Sequence, residues 1–198
     1  MFAGYDTTSN SLTWMAYLLA KHPAAQEKLF EELSSVTAIG IVPTVDTLKG
    51  CSYLYAVIKE TLRFFTPVLA FSRLARKDDV LPGTKTFIPA GIEVVPTMFV
   101  LHRSKDIYGS NSDEFVPERW EDPQIEERVG EAGFMPFSIG KRNCIGKEFA
   151  MNEMAMLAAV VFRNFKLEWP ADEPEPVKVV TPVMKPKEPF NVLITRRR

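Results

Sequence analysis

The chain has 198 residues, 46% of them hydrophobic and 25% charged, proportions that exclude a collagen-like, coiled-coil or wholly disordered protein. Its 24 basic and 25 acidic side chains leave a net charge of -1, so there is no overall field to hold nucleic acid, which is not an expected partner. Two cysteines and two histidines are too few for a disulfide framework or a four-ligand zinc site, so at least one cysteine needs an individual explanation.

In residues 3–22, Leu12, Met15, Ala16 and Leu19 recur at helical spacing, and His22-Pro23 ends that helix because the residue before proline disfavours the α region. No cap precedes it, as expected of a chain that starts inside a helix with an N-terminal part missing. Pro23 opens a second helix with Leu29, Phe30, Leu33 and Val36 as its buried stripe and Glu27, Lys28, Glu31 and Glu32 facing water. A loop at 40–43 and a turn at 45–49 lead to a third helix, 52–65, stopped by Thr66-Pro67. Runs rich in β-formers at 71–74, 86–88 and 92–95, punctuated by Pro82-Gly83 and Pro89-Ala90-Gly91, predict a small antiparallel sheet. Residues 104–133 are polar and predict a surface meander with short helical turns. Residues 147–162 are apolar nearly all round and predict a deeply buried helix. Strands at 165–169 and 190–195 flank a Pro- and Glu-rich hairpin region. The expected fold class is mainly α with small β sheets. The longest apolar run, 155–162, is too short to span a bilayer, and no basic segment followed by an apolar stretch opens the chain. The sequence is therefore expected to carry no anchor or signal, and it leaves its own location unassigned.

Chemistry concentrates in Phe137-Ser138-Ile139-Gly140-Lys141-Arg142-Asn143-Cys144-Ile145-Gly146, just before the long helix. A helix N-terminus and the cations Arg142 and Lys147 favour the anionic form of a sulfur so placed, and the first-turn N–H groups are candidate donors to it. Gly140 and Gly146 permit positive φ and let a flat ligand approach the backbone. Cys144 alone would read as a buried cysteine in a tight turn; five specified positions together point to a built thiolate site.

The pattern F-x-x-G-x-R-x-C-x-G resembles the heme-binding loop of the cytochrome P450 superfamily, the heme-thiolate monooxygenases. The resemblance implies that Cys144 is the axial metal ligand on the iron of heme b (iron protoporphyrin IX). It also implies that Arg142 pairs with a heme propionate and that Phe137, Gly140 and Gly146 complete the cofactor-binding loop. Glu60-Thr61-Leu62-Arg63 is similar to the family's E-x-x-R; taken alone it is an i,i+3 pair worth a few tenths of a kcal/mol. Phe115 and Pro117-Glu118-Arg119-Trp120 resemble the PERF/PERW segment, which makes Glu60, Arg63 and Arg119 a buried structural triad that fixes the meander and thereby the cysteine loop. Ala3-Gly4-Tyr5-Asp6-Thr7-Thr8 resembles A/G-G-x-D/E-T-T of the helix crossing the distal heme face. There Gly4 allows close approach, Thr7 bonds a carbonyl one turn back and locally opens the helix ladder, and Asp6 and Thr7 form the catalytic acid–alcohol pair that relays protons to dioxygen. Arg73 corresponds to a second propionate-pairing arginine, with Arg76 or a plain surface role as alternatives. Val68, Leu69 and Ala70 face substrate or pack in the core, and Cys51 is an inert core residue.

The implied activity is insertion of one atom of O2 into a small apolar organic substrate. Two electrons would come singly from an electron-donor flavoprotein or ferredoxin, for whose acidic face Lys141, Arg142 and Lys147 are a compatible surface. Residues 1–198 correspond to the C-terminal heme-binding part of a P450 domain, and the parent, if eukaryotic, would sit at the endoplasmic reticulum membrane. The alternative is a truncated, non-catalytic fragment with weak or no heme binding.

Overall fold

The protein is described here by a computed structural model covering residues 2–197. Helix α1 (Phe2–Lys21) turns at His22 into α2 (Pro23–Val36), with Pro23 in the first turn where its missing N–H costs nothing. The buried face of α2 is Ala25, Gln26, Leu29 and Leu33, one turn earlier than the predicted stripe. Val36 is exposed because the helix ends there and Thr37 turns extended. Gln26 is buried with its whole amide in use: Nε2 donates to the Leu19 and Leu167 carbonyls and Oε1 accepts from the Leu167 N–H, all at 2.8 Å.

After the short α3 (Val45–Leu48) comes α4 (Ser52–Phe64), the most enclosed helix. Its N-cap, Cys51, offers no side-chain bond. Glu32 supplies the cap instead, accepting the Tyr53 and Leu54 N–H groups at 2.8 Å each. The expectation that Glu32 merely faces water is thus corrected: a bare helix end draws it inward. Lys28 likewise bridges Glu118 and Glu121.

The predicted single small sheet is two separate antiparallel ribbons. In the first, β1 (Arg73–Leu74) pairs with β4 (Glu93–Val94). In the second, β2 (Asp79–Val80) pairs with β3 (Phe87–Ile88). Each strand has two residues, too short to build a shared sheet face. After α5 (Met98–Leu101), the polar stretch holds α6 (Lys105–Tyr108), a 3-10 turn at Pro117–Glu121 and α7 (Pro123–Gly133), the last longer than the predicted turns and kinked at Gly130, φ 49°. Ile125 and Val129, one turn apart, pack with Tyr108 into a small satellite core.

Helix α8 (Lys147–Asn164) buries Met154, Ala155, Ala158, Ala159 and Phe162. It is not buried all round as predicted: Phe149 is 71% exposed and Leu157 45%. β5 (Phe165–Glu168) then pairs with β8 (Leu193–Arg196), and β6 (Lys178–Val180) with β7 (Met184–Pro186). The main core joins α1, α2, α4 and α8 through Met15, Leu19, Leu29, Leu54, Ile58 and Phe162. Trp14 stacks on Phe65 with centroids 4.1 Å apart. Each leucine fully buried there contributes roughly 1.5–3 kcal/mol.

Candidate functional site

Glu60, Arg63 and Arg119 meet in the interior. The Glu60 carboxylate accepts from Arg63 Nε at 2.9 Å and Nη2 at 2.8 Å, and from Arg119 Nε at 3.1 Å. The Val116 N–H and Trp120 Nε1–H add two more bonds of 2.9 Å each. The guanidiniums then reach outward. Arg63 donates to the carbonyls of His102, Ser112 and Glu114, and Arg119 to those of Tyr108 and Asn111. Buried charge is costly unless paired and hydrogen-bonded, and here every guanidinium N–H has an acceptor. The node therefore holds a segment that has little apolar surface of its own.

Beyond that segment lies the cysteine loop. The Cys144 N–H donates to the Phe137 carbonyl at 2.8 Å and the Asn143 N–H to that of Gly140 at 3.1 Å. Gly140 has φ +71°, a region that favours glycine, and Ser138 is at +60°. A Cβ at Gly146 would lie 3.8 Å from Cys144 Sγ, in ordinary van der Waals contact with the sulfur. Cys144 is exposed, whereas Cys51 is buried in the core and burial pushes its thiol up. Because α8 begins at Lys147 with Gly146 as its cap, the sulfur sits ahead of the helix and not in its first turn. Among the described residues no backbone N–H donates to Sγ, so the bonds anticipated from the first turn are not made.

A cavity of about 430 Å³ opens above this loop, lined by Cys144, Arg142 and Gly146, by Gly4 and Thr7 of α1, and by Phe149 of α8. That is a usual size for a cofactor or ligand pocket. Its remaining walls are mostly apolar, among them Val68, Phe71 and Met154. Ile145, which also lines it, is fully exposed. Thr7 Oγ1 donates to the Ala3 carbonyl at 2.7 Å, the back-bond to the preceding turn, although α1 continues as one unbroken helix. Asp6, half-buried, is not among the lining residues, and its Oδ1 accepts from Asn10 at 3.2 Å. Thr8, given no role from sequence, is buried against the cavity with Oγ1 unpartnered among the described residues, and Ser138 Oγ is a second such orphan in the same wall. Unpaired hydroxyls at a pocket wall signal a missing ligand or solvent partner, which spacing along a sequence does not reveal. Arg73 is exposed outside the cavity. It donates to the Ser72 carbonyl, and its guanidinium lies 4.5 Å over the ring of Phe71. On the other face of the loop, Lys59 and Lys147 border a second hollow of about 400 Å³.

Among the described residues there is no cluster of three or more His, Cys, Asp or Glu that could hold a bare metal ion. One exposed sulfur in a largely apolar crevice, with an arginine beside it, suits a metal that arrives with its other ligands in a flat, acid-bearing macrocycle. The residues present fit heme. This defines a class: a helical protein with a largely apolar crevice whose wall carries one exposed cysteine sulfur. The Cytochrome P450 family model matches residues 1–194, and the chain belongs to that family. It is similar to cytochrome P450 3A29 of Sus scrofa, 36% identical over 198 residues that cover all of this chain and 39% of that relative. Cytochrome P450 4A24 of Sus scrofa is 37% identical over 182 residues, 92% of this chain and 34% of the relative. The putative cytochrome P450 CYP13A3 of Caenorhabditis elegans is 38% identical over 181 residues, 91% and 34%. The chain thus spans less than two-fifths of the length of these relatives.

Proposed function

We propose that residues 1–198 are the C-terminal heme-binding part of a heme-thiolate monooxygenase that inserts one oxygen atom from O2 into a small apolar organic substrate. The observation that carries this reading is that Cys144 and the Gly4–Thr7 turn of α1, far apart in sequence, line one apolar cavity. Cys144 would bind the iron through sulfur, Arg142 would pair with a propionate, and Phe137, Gly140 and Gly146 would seat the ring. Arg73, the second candidate for a propionate, lies over Phe71 and is not among the residues lining the cavity. When bound, heme supplies an iron centre that activates dioxygen with two electrons taken one at a time. The Thr7 hydroxyl proton is committed to the Ala3 carbonyl, so its Oγ1 lone pairs are left to accept a hydrogen bond on the cavity side. Asp6, partly exposed outside the cavity, would form the acid–alcohol pair with Thr7. Val68 and Phe71 offer the apolar surface against which a substrate would lie. Lys141 on the loop and Lys147 at the start of α8, both exposed, suit an acidic flavoprotein or ferredoxin as electron donor. No helix among the described residues is long and apolar enough to cross a membrane; an endoplasmic reticulum location would belong to a longer eukaryotic parent.

The test is a reduced, CO-bound difference spectrum of the purified chain loaded with heme. A band at the thiolate position that Cys144→Ser abolishes supports the assignment. A band that survives the substitution overturns the ligand, and its absence from the unsubstituted chain leaves the non-catalytic alternative for this polypeptide.

A further inference from the structure

His102 is wholly enclosed and takes no part in the chemistry above. It closes α5, and its backbone carbonyl accepts Arg63 Nη1–H at 2.7 Å, so its main chain belongs to the buried triad. Its ring faces the other way. The Met135 backbone nitrogen lies 3.1 Å from His102 Nε2. A backbone N–H can only donate, so Nε2 is the acceptor and the imidazole proton sits on Nδ1. The neighbouring Phe134 ring packs on the imidazole with centroids 5.3 Å apart.

Met135 opens the cysteine loop. Its carbonyl accepts the Ser138 N–H at 3.0 Å, and two residues on, the Phe137 carbonyl accepts the Cys144 N–H at 2.8 Å. A continuous path of hydrogen bonds and short chain therefore runs from Glu60 through Arg63, His102 and Met135 to Cys144. Among the described residues His102 Nδ1 has no partner although it is buried. An orphaned buried donor is costly, and an apolar ring would fill the space without it, so the cost is matched only by what Nε2 does. Burial and the cations Arg63 and Arg103 keep the imidazole neutral, with its pKa lowered to about 3, which is the form that accepts.

We propose that His102 is a positioning residue whose imidazole ties the start of the Cys144 loop to the Glu60–Arg63–Arg119 node. Its consequence for function rests on Cys144 being the heme ligand; the tether itself does not.

Nitrogen-15 NMR of the full chain at neutral pH should show His102 as the Nδ1–H tautomer, with a slowly exchanging Met135 amide. His102→Phe keeps a ring and removes the acceptor; it should speed exchange at Met135 and residues 137–144 by about tenfold or more while α4 stays within about twofold. His102→Gln, whose amide oxygen can accept, should restore most of that protection and, in the heme-loaded chain, most of the thiolate CO band that the Phe variant loses. An Nε2–H tautomer, unchanged loop exchange in the Phe variant, or loss spread equally over α4 and the loop each overturns the tether. Should the Phe variant not fold, the tautomer and the Gln variant decide: Nδ1–H with a protected loop upholds the tether, and a loop as labile with Gln as the unfolded chain overturns it. A correct tautomer with no thiolate band in the unsubstituted chain would sink the heme reading and leave the tether standing.

Discussion

The Glu60 node and the Cys144 crevice lie on either side of residues 134–137 and are built by opposite rules. At the node, a carboxylate wholly shielded from solvent accepts five hydrogen bonds, and the guanidiniums it holds use their remaining N–H groups on backbone carbonyls and the Asn111 side chain. At the crevice, two hydroxyls lack partners, a sulfur is open, and Ile145 and Phe149 present apolar surface. Complete satisfaction fixes the chain in one arrangement, and incomplete satisfaction leaves room for a ligand to supply what is missing. A buried ion network seldom adds much net stability over an apolar core, so its value here is where it puts the loop.

The largest effect on stability should come from Glu60→Gln. It leaves the Arg63 and Arg119 cations buried without a counter-charge, and breaking such a network by removing one partner costs about 3–5 kcal/mol. Urea unfolding measures this directly. A loss under about 1 kcal/mol would mean that the node does not hold the meander, and the contrast between the two regions would fail.

How much of this was legible beforehand depends on whether the signal is local. The ends of α1, α2 and α4 follow from Pro23, Pro67 and the apolar period, because each is written within one or two turns; the node joins Glu60 to Arg119 across 59 residues, and only the resemblance of both segments to family motifs implied it. Glu32 as the cap of α4 is a contact between helices that no local pattern encodes. For α7 the apolar stripe is only Ile125 and Val129, too thin to stand out in a polar stretch. The apolar girth of α8 was visible, but periodicity reports that a surface is apolar, not whether protein or ligand covers it. Phe149 is the case in point: the sequence places it in a core, and the structure puts it on the crevice wall. Arg73 shows the same limit for a charged residue, since only the fold reveals that it stacks on Phe71 outside the cavity.

A smaller effect should appear with acid. The buried imidazole of His102 has its pKa lowered to about 3 by burial and by the nearby cations Arg63 and Arg103, against about 6.5 when unfolded. Between those values the unfolded chain binds the extra proton, so this stability is fully present above about pH 6.5 and is lost as pH falls toward 3. By pH 5 His102 alone should cost about 2 kcal/mol relative to pH 7, and the His102→Gln variant should lack that part of the slope. Parallel acid profiles for the two proteins would show instead that the imidazole protonates within the folded state.

The smallest effect on stability should be that of Cys144→Ser. The side chain is exposed and its sulfur accepts no backbone N–H among the described residues, so exchanging sulfur for oxygen should shift unfolding by no more than about 0.5 kcal/mol. Thiol labelling of the ligand-free chain gives the matching readout. Cys144 should react quickly, while Cys51, enclosed with its thiol pushed up by burial, should react only as the protein opens. The Ser variant should therefore lose the fast phase and keep both its melting temperature and the slow phase. A large drop in stability would mean that Cys144 is part of the framework after all, like Glu60. An atom that can be replaced without loss to the fold, yet is held by a loop tied to the buried node, is placed there for what binds to it.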